Sequence, residues 1–326
     1  MSWETIIGQK KAKSLLREQL HFHRVSHAYL FIGPEGVGKR MTAEVFSRAL
    51  SCTAEEKPCE VCISCRQILH GNGVNIHYLK PAGQKIKLEE LQPLIKGINF
   101  KTQETAAQIL IIDGADKITP AAANYMLKTL EEPPLRTHFI LLAEEKAAVL
   151  PTILSRCQTV LFTPINHLEA AGFIQEKLKL SPEKALSYVK LAQGSIGVAQ
   201  SMAVDKKFED IRAKAEEIFD FKSNDAYDIL KLSSQMEAEK EHIQEILEML
   251  RLLLRDGLVW EADAGQLIIN SDKTELFRAQ EYSFEELLRQ YKIVDEAIRR
   301  MKANANKRLA LDVMFLSLKL DRRKSA

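Results

Sequence analysis

The stretch "GPEGVGKR", residues 33–40, decides how the rest of the chain is read. Gly33, Gly38 and Lys39 fit the phosphate-loop pattern G-x-x-x-x-G-K-S/T, and Gly36 adds backbone freedom between them. Glycines there let backbone amides turn toward phosphate oxygens, while the lysine reaches the outer phosphates. The stretch follows the apolar "YLFI" and opens a helical pattern, the context in which such a loop binds anions. Its last position departs from the pattern. Arg40 stands where a hydroxyl would ligate magnesium, and its charge competes with the ion for the same oxygens. Thr42 is no substitute, because two residues along a helix turn the side chain by about 200°. The loop therefore reads as one of nucleotide-binding ancestry. Backbone and Lys39 contacts remain for ATP or ADP, so present binding stays open, with the metal poorly held.

Working outward, short apolar runs alternate with helical stretches between residues 28 and 163: "AYLFIG", "IHYL", "QILIID", "HFILLA" and "TVLF". Each is apolar on both faces and followed by polar or helix-starting residues, as buried parallel strands are. Five such strands with crossovers predict a doubly wound α/β domain. In "ILIIDGAD", residues 109–116, Asp113 ends a strand where a P-loop ATPase holds magnesium. The alternative is a carboxylate that satisfies loop amides. Many such enzymes place a glutamate next; here it is Gly114. Without the hydroxyl and the glutamate, efficient hydrolysis is not expected.

At 326 residues the chain is long enough for more than one domain, and with 46% hydrophobic and 28% charged residues it has the composition of a folded globular protein. A net charge of +2 argues neither for nor against nucleic acid. No apolar run approaches the roughly 18 residues of a membrane span, and the N-terminus lacks a signal-peptide core, so a cytoplasmic protein with no membrane partner is expected. In a reducing compartment the spacing C-x6-C-x2-C-x2-C of Cys52, Cys59, Cys62 and Cys65 points to a structural zinc that pins an insertion. Buried free thiols, a disulfide pair or an iron–sulfur cluster are the alternatives; the last lacks the following C-x3-C-P. Cys157 stands alone before a strand and reads as packing. After Pro164 the pattern is helical: one short unit closes around "LAQGSIGVAQ", and a second, beginning near residue 210, includes "EKEHIQEILEMLRLLLRDGLVW". The expected divisions are 1–164, with the zinc module at about 52–65, then 165–207 and 208–326.

Five separated motifs, "WETIIGQKKAKSLL", "HAYLFIGPEGVGK", the cysteine insertion, "AAANYMLKTLEEPP" and "PTILSRCQTV", resemble in order the AAA+ clamp-loader subunits of bacterial DNA polymerase III. Motor subunits of that family would need a hydroxyl at position 40, a glutamate at 114 and an arginine near "GSIGVA". Arg40, Gly114 and Gly197 with Val198 depart at all three, which resembles the delta-prime branch rather than an active gamma/tau motor, the alternative. The resemblance implies an AAA+ domain, a small helical lid and a helical collar by which subunits assemble. It implies a ring with gamma/tau and delta subunits that opens a sliding clamp around primer-template DNA. In such a ring Arg156 of "SRC" would be a finger completing a neighbour's ATP site in trans; a surface ion pair is the alternative. Lys85 and Lys87 would line the DNA chamber or form a solvated basic face. Ile6 and Ile7, before Gly8 and Gln9, would wall the adenine side or belong to the core. A stand-alone regulator or small-molecule kinase would leave the cysteines and "SRC" unexplained.

Overall fold

The five apolar runs become the five strands of one sheet: β1 (Ala28–Ile32), β2 (Ile76–Leu79), β3 (Gln108–Asp113), β4 (Thr137–Ala143) and β5 (Gln158–Leu161). All pairs are parallel, in the order β2-β3-β4-β1-β5. The computed structural model describes residues 2–70, 73, 75–100, 107–221, 225–238, 242–280, 282–303 and 305–320. They divide into two compact units, one of Met1–Ala170 with Gln193–Val198 and the other of Ala171–Ala192 with Ala199–Ala326.

The helices are α1 (Lys10–His21), α2 (Lys39–Ser51), α3 (Ile63–Leu69), α4 (Leu88–Phe100), α5 (Pro120–Glu131) and α6 (Pro151–Leu154), then α7 (His167–Leu178), α8 (Pro182–Leu191) and α9 (Ile196–Val204). They are followed by α10 (Lys206–Asp220), α11 (Ala226–Ala238), α12 (Ile243–Glu261), α13 (Thr274–Ala279), α14 (Phe284–Lys302) and α15 (Lys307–Leu320).

The three central strands β1, β3 and β4 are apolar on both faces because both faces are covered, whereas the edge strands β2 and β5 depart from that expectation, with His77, Gln158 and Thr159 in them and Tyr78 and Leu161 exposed. Leu30, Leu110, Phe139 and Leu141 pack with Leu91 and Ile95 of α4 and Met126 and Leu130 of α5. Alternate residues, Tyr29, Phe31, Ile109, Ile111 and Ile140, pack with Leu16 of α1 and Phe46 of α2 on the other side. Each such side chain, fully withdrawn from water, contributes roughly 1.5–3 kcal/mol. Thr119 shows how the helix boundaries are set: its hydroxyl accepts from the Ala122 amide at 3.4 Å, and Pro120 fills the first helical position.

Strand order fixes where chemistry can occur. β4 lies between β1 and β3, with Ile32 opposite Ala143 and Asp113 opposite Leu142. The loops leaving β1 and β3 are therefore bonded to the end of one strand: the Gly33 amide donates to the Ala143 carbonyl at 3.2 Å, and that of Gly114 to the Leu142 carbonyl at 3.0 Å. The crevice outside the carboxyl ends of such a sheet is where ligands bind in open α/β folds.

In the second unit a helical core gathers Leu247, Leu250, Leu254, Phe277, Leu287 and Phe315, among others. Arg212 of α10 is buried within this unit. Its guanidinium donates to Asp272 at 2.9 and 3.1 Å and lies over the Tyr188 ring of α8 at 5.5 Å, tying α8 to α10 and to the segment before α13. Asp272 opposes the burial that would depress the Arg212 pKa, and the net result is a raised one.

Candidate functional site

The phosphate loop sits between β1 and α2. Gly36 and Gly38 have φ of +71° and +102°, left-handed conformations that glycine adopts without strain. A Cβ on Gly36 would also come within 2.3 Å of Ser195 Oγ and 2.7 Å of the Val198 nitrogen. The segment around "GSIGVA" is bonded to the loop at this point: Ser195 Oγ donates to the Glu35 carbonyl at 2.7 Å, and the Gly197 amide to the Gly36 carbonyl at 2.9 Å. Buried Gln9 braces the same loop, donating to the carbonyls of Val37 at 3.1 Å and Thr163 at 2.7 Å. Ile6 is buried in the core beside Trp3 and Phe46.

Lys39 is only 9% exposed, and its ammonium donates to the carbonyls of Gly33 and, at 2.8 Å, Pro34. Burial lowers its pKa, opposed by the carboxylates of Glu144, Asp113, Asp116 and Glu35. Arg40 pairs with Glu44 at 3.1 Å and lies over the Tyr78 ring at 5.8 Å. Thr42 is buried, its hydroxyl donating to the Gly38 carbonyl at 2.9 Å. Asp113 faces Lys80 at 3.7 Å. A cavity of about 410 Å³ opens over these groups, lined by four cations, among them Lys39, Arg40 and Lys80, and four carboxylates, among them Asp113 and Glu144. At this loop position 40 is a guanidinium, the Thr42 hydroxyl donates within its own helix, and the Asp113 carboxylate has an ammonium 3.7 Å away.

Lys80 and Glu144 went unnoticed in the sequence, although each directly follows a strand end on this edge of the sheet. That position was the available signal.

At the other candidate position, Arg156 follows α6. Nε donates to Glu131 at 2.9 Å, Nη2 donates to the same carboxylate oxygen, and Nη1 donates to the Thr152 carbonyl and Ser155 Oγ, both at 3.0 Å. The Arg156 side chain keeps 32% exposure and that of Glu131 51%. The guanidinium is therefore oriented at the surface and in contact with water. Glu131 belongs to "LEEPP", a motif whose part in holding this arginine the sequence did not disclose. Lys85 and Lys87 are exposed ahead of α4.

The sulfurs of Cys52, Cys59, Cys62 and Cys65 all lie within 4.8 Å of one another, so the four residues could hold a metal ion. Each amide of Cys59, Cys62 and Cys65 donates to the sulfur of the preceding cysteine at 3.4 Å, the hydrogen bonding that thiolate ligands need. Burial pushes the Cys65 thiol up to about 12. At Cys62 burial pushes the same way, but the Cys65 amide and neighbouring donors overcome it and hold the thiol down at about 6. Trp3 Nε1 donates to the Lys57 carbonyl at 2.9 Å, fixing the insertion's loop from outside. Cys157 packs against the sheet core, and burial raises it to about 12, so it is a neutral thiol near neutral pH.

A five-stranded parallel sheet with a phosphate-loop sequence after β1, an acidic strand end on β3 and a helical C-terminal region define a doubly wound α/β domain followed by helices. Among the described residues no helix is long and apolar enough to cross a membrane. The family model for "DNA polymerase III, delta subunit" matches residues 8–166, and that for "DNA polymerase III, delta subunit, C terminal" matches 206–319. The chain belongs to this family of DNA polymerase III subunits. It is 29% identical to DNA polymerase III subunit delta' of Bacillus subtilis over 98% of both chains. It is 29% identical to subunit delta' of Yersinia pestis over 78% of this chain and 76% of that one. Subunit tau of Bacillus subtilis is 28% identical over 78% of this chain but only 46% of its own length.

Proposed function

We propose that this chain is a delta-prime-type subunit of a DNA polymerase III clamp loader, which activates a neighbour's ATP site and does not turn over ATP itself. The observation that carries the reading is the contrast between its two candidate positions. At the phosphate loop, Arg40, the Gly38-bonded Thr42 and the Lys80-paired Asp113 leave no ordinary magnesium site. At "SRC", Arg156 is oriented, charged and accessible. A guanidinium so held stabilises charge on a transferring phosphoryl group when a second subunit brings that group to it.

In this reading the chain joins gamma/tau and delta subunits in the cytoplasm, and meets the sliding clamp and primer-template DNA as part of that ring. Residues 1–164 form the AAA+ domain, 165–207 its lid and 208–326 the collar. The four cysteines take zinc, since an S4 donor set in a reducing compartment selects it among common divalent ions. Zinc there is structural, because four protein ligands leave no open position.

The purified chain, incubated alone with ATP and magnesium, should release no phosphate above background. Robust turnover would contradict the reading and favour an active motor of the gamma/tau type.

A further inference from the structure

The side chain of Arg48, on α2, takes part in neither the phosphate loop nor the arginine finger. It is 2% exposed and among the largest fully buried side chains of the protein. Its Nη1 and Nη2 have no hydrogen-bond partner among the described residues, and its ion pair with Glu60 is long, 3.7 Å from Nη1. A buried cation whose ion pair is long is costly unless a further anion lies close by. The cysteine cluster adjoins α2 at this residue, and Glu60, which the guanidinium meets, belongs to its knuckle. The Arg48 carbonyl faces Cys65 Sγ at 4.0 Å, and Glu60 stands between Cys59 and Cys62 in the chain.

We propose that Arg48 is the buried counter-charge of the metal centre formed by Cys52, Cys59, Cys62 and Cys65. The proposal rests on the reading that this cluster binds zinc. A divalent ion held by four thiolates has a net charge of two minus, and its neighbourhood must offset that charge or exclude it. Arg48 offsets it from the α2 side. Glu60, negative and in the same knuckle, opposes it. Arg48 and Glu60 therefore act on metal affinity in opposite directions, which no purely mechanical tie between α2 and the insertion would produce.

The test is zinc affinity of the full chain after metal stripping, measured by competition with a chromophoric chelator, with cobalt absorption reporting tetrahedral thiolate coordination. Arg48→Met should weaken zinc binding by about 10- to 100-fold, the range typical of outer-shell partners of a metal site. Arg48→Lys should retain most of the affinity, and Glu60→Gln should tighten binding. Equal affinity in Arg48→Met and the unaltered chain would overturn the proposal, as would a Glu60→Gln variant that weakens binding. Should Arg48→Met fail to fold without metal, the sign of the Glu60→Gln change decides alone. An unaltered chain that binds no zinc would overturn the zinc reading, and this proposal with it.

Discussion

Arg156→Ala should leave the chain folded and able to join its partners, while ATP turnover at the neighbouring motor site falls by about 10³-fold, the lower range for arginine fingers. Folding should survive because Arg156 is a surface residue with exposed partners, and such ion pairs contribute little to stability. The catalytic loss should be large because the guanidinium acts on charge that develops only as the phosphoryl bond breaks. Glu131 and the Thr152 carbonyl already fix the plane of the group, so in the proposed role little ordering would be left to be done in the assembled site. Arg156→Lys keeps the charge but loses the fork that Nε and both Nη groups form here, and should recover only part of the rate. Single-site turnover in the reconstituted ring, with assembly checked by gel filtration, measures both variants. A rate unchanged in Arg156→Ala would leave the surface ion pair as this residue's whole role.

Removal of metal should have the second large effect, confined to the insertion. Between Cys52 and Cys65 only those two cysteines are buried, and Val61 and Ile63 are exposed, so the segment has scarcely any core of its own. On the zinc reading proposed above, metal–thiolate bonds would supply most of its local stability, as in small zinc modules. Losing even about 3 kcal/mol of that stability would raise cleavage within residues 53–64 by roughly 100-fold, since cleavage follows the open population. The sheet should persist, because the cores above and below it contain no cysteine ligand. Limited proteolysis with and without a chelator, followed by circular dichroism of the products, separates the two regions. Equal cleavage rates in both conditions would mean the cysteines hold the fold without metal.

What the sequence disclosed and what it withheld divide along physical lines. The central strands were legible because a strand buried on both faces needs an unbroken apolar run, and "AYLFI" or "QILII" can satisfy little else; the edge strands β2 and β5, only partly buried, showed themselves as shorter runs. The order β2-β3-β4-β1-β5 was not, because it depends on how crossover helices pack rather than on any strand's composition. The cysteine cluster was legible because three of its ligands lie within seven residues and spacing alone brings them together. Glu131 lies 25 residues from Arg156, and Lys80 lies 33 from Asp113; only the folded sheet joins them. Arg48 was hidden for another reason. A helix such as α2 normally turns its arginines to water, and nothing in "SRALSC" signals one that is buried.

The most direct measurement compares Asp113→Asn with Arg156→Ala, each carried by this chain alone, in the same reconstituted ring with unaltered motor subunits. Asp113→Asn removes the carboxylate that a working site needs for magnesium, so a subunit without its own turnover should support the full rate of ATP hydrolysis. Arg156→Ala should lose the stimulation this chain provides. A ring crippled by Asp113→Asn and indifferent to Arg156→Ala would show that the chain burns ATP at its own phosphate loop, and would contradict its assignment as an activator.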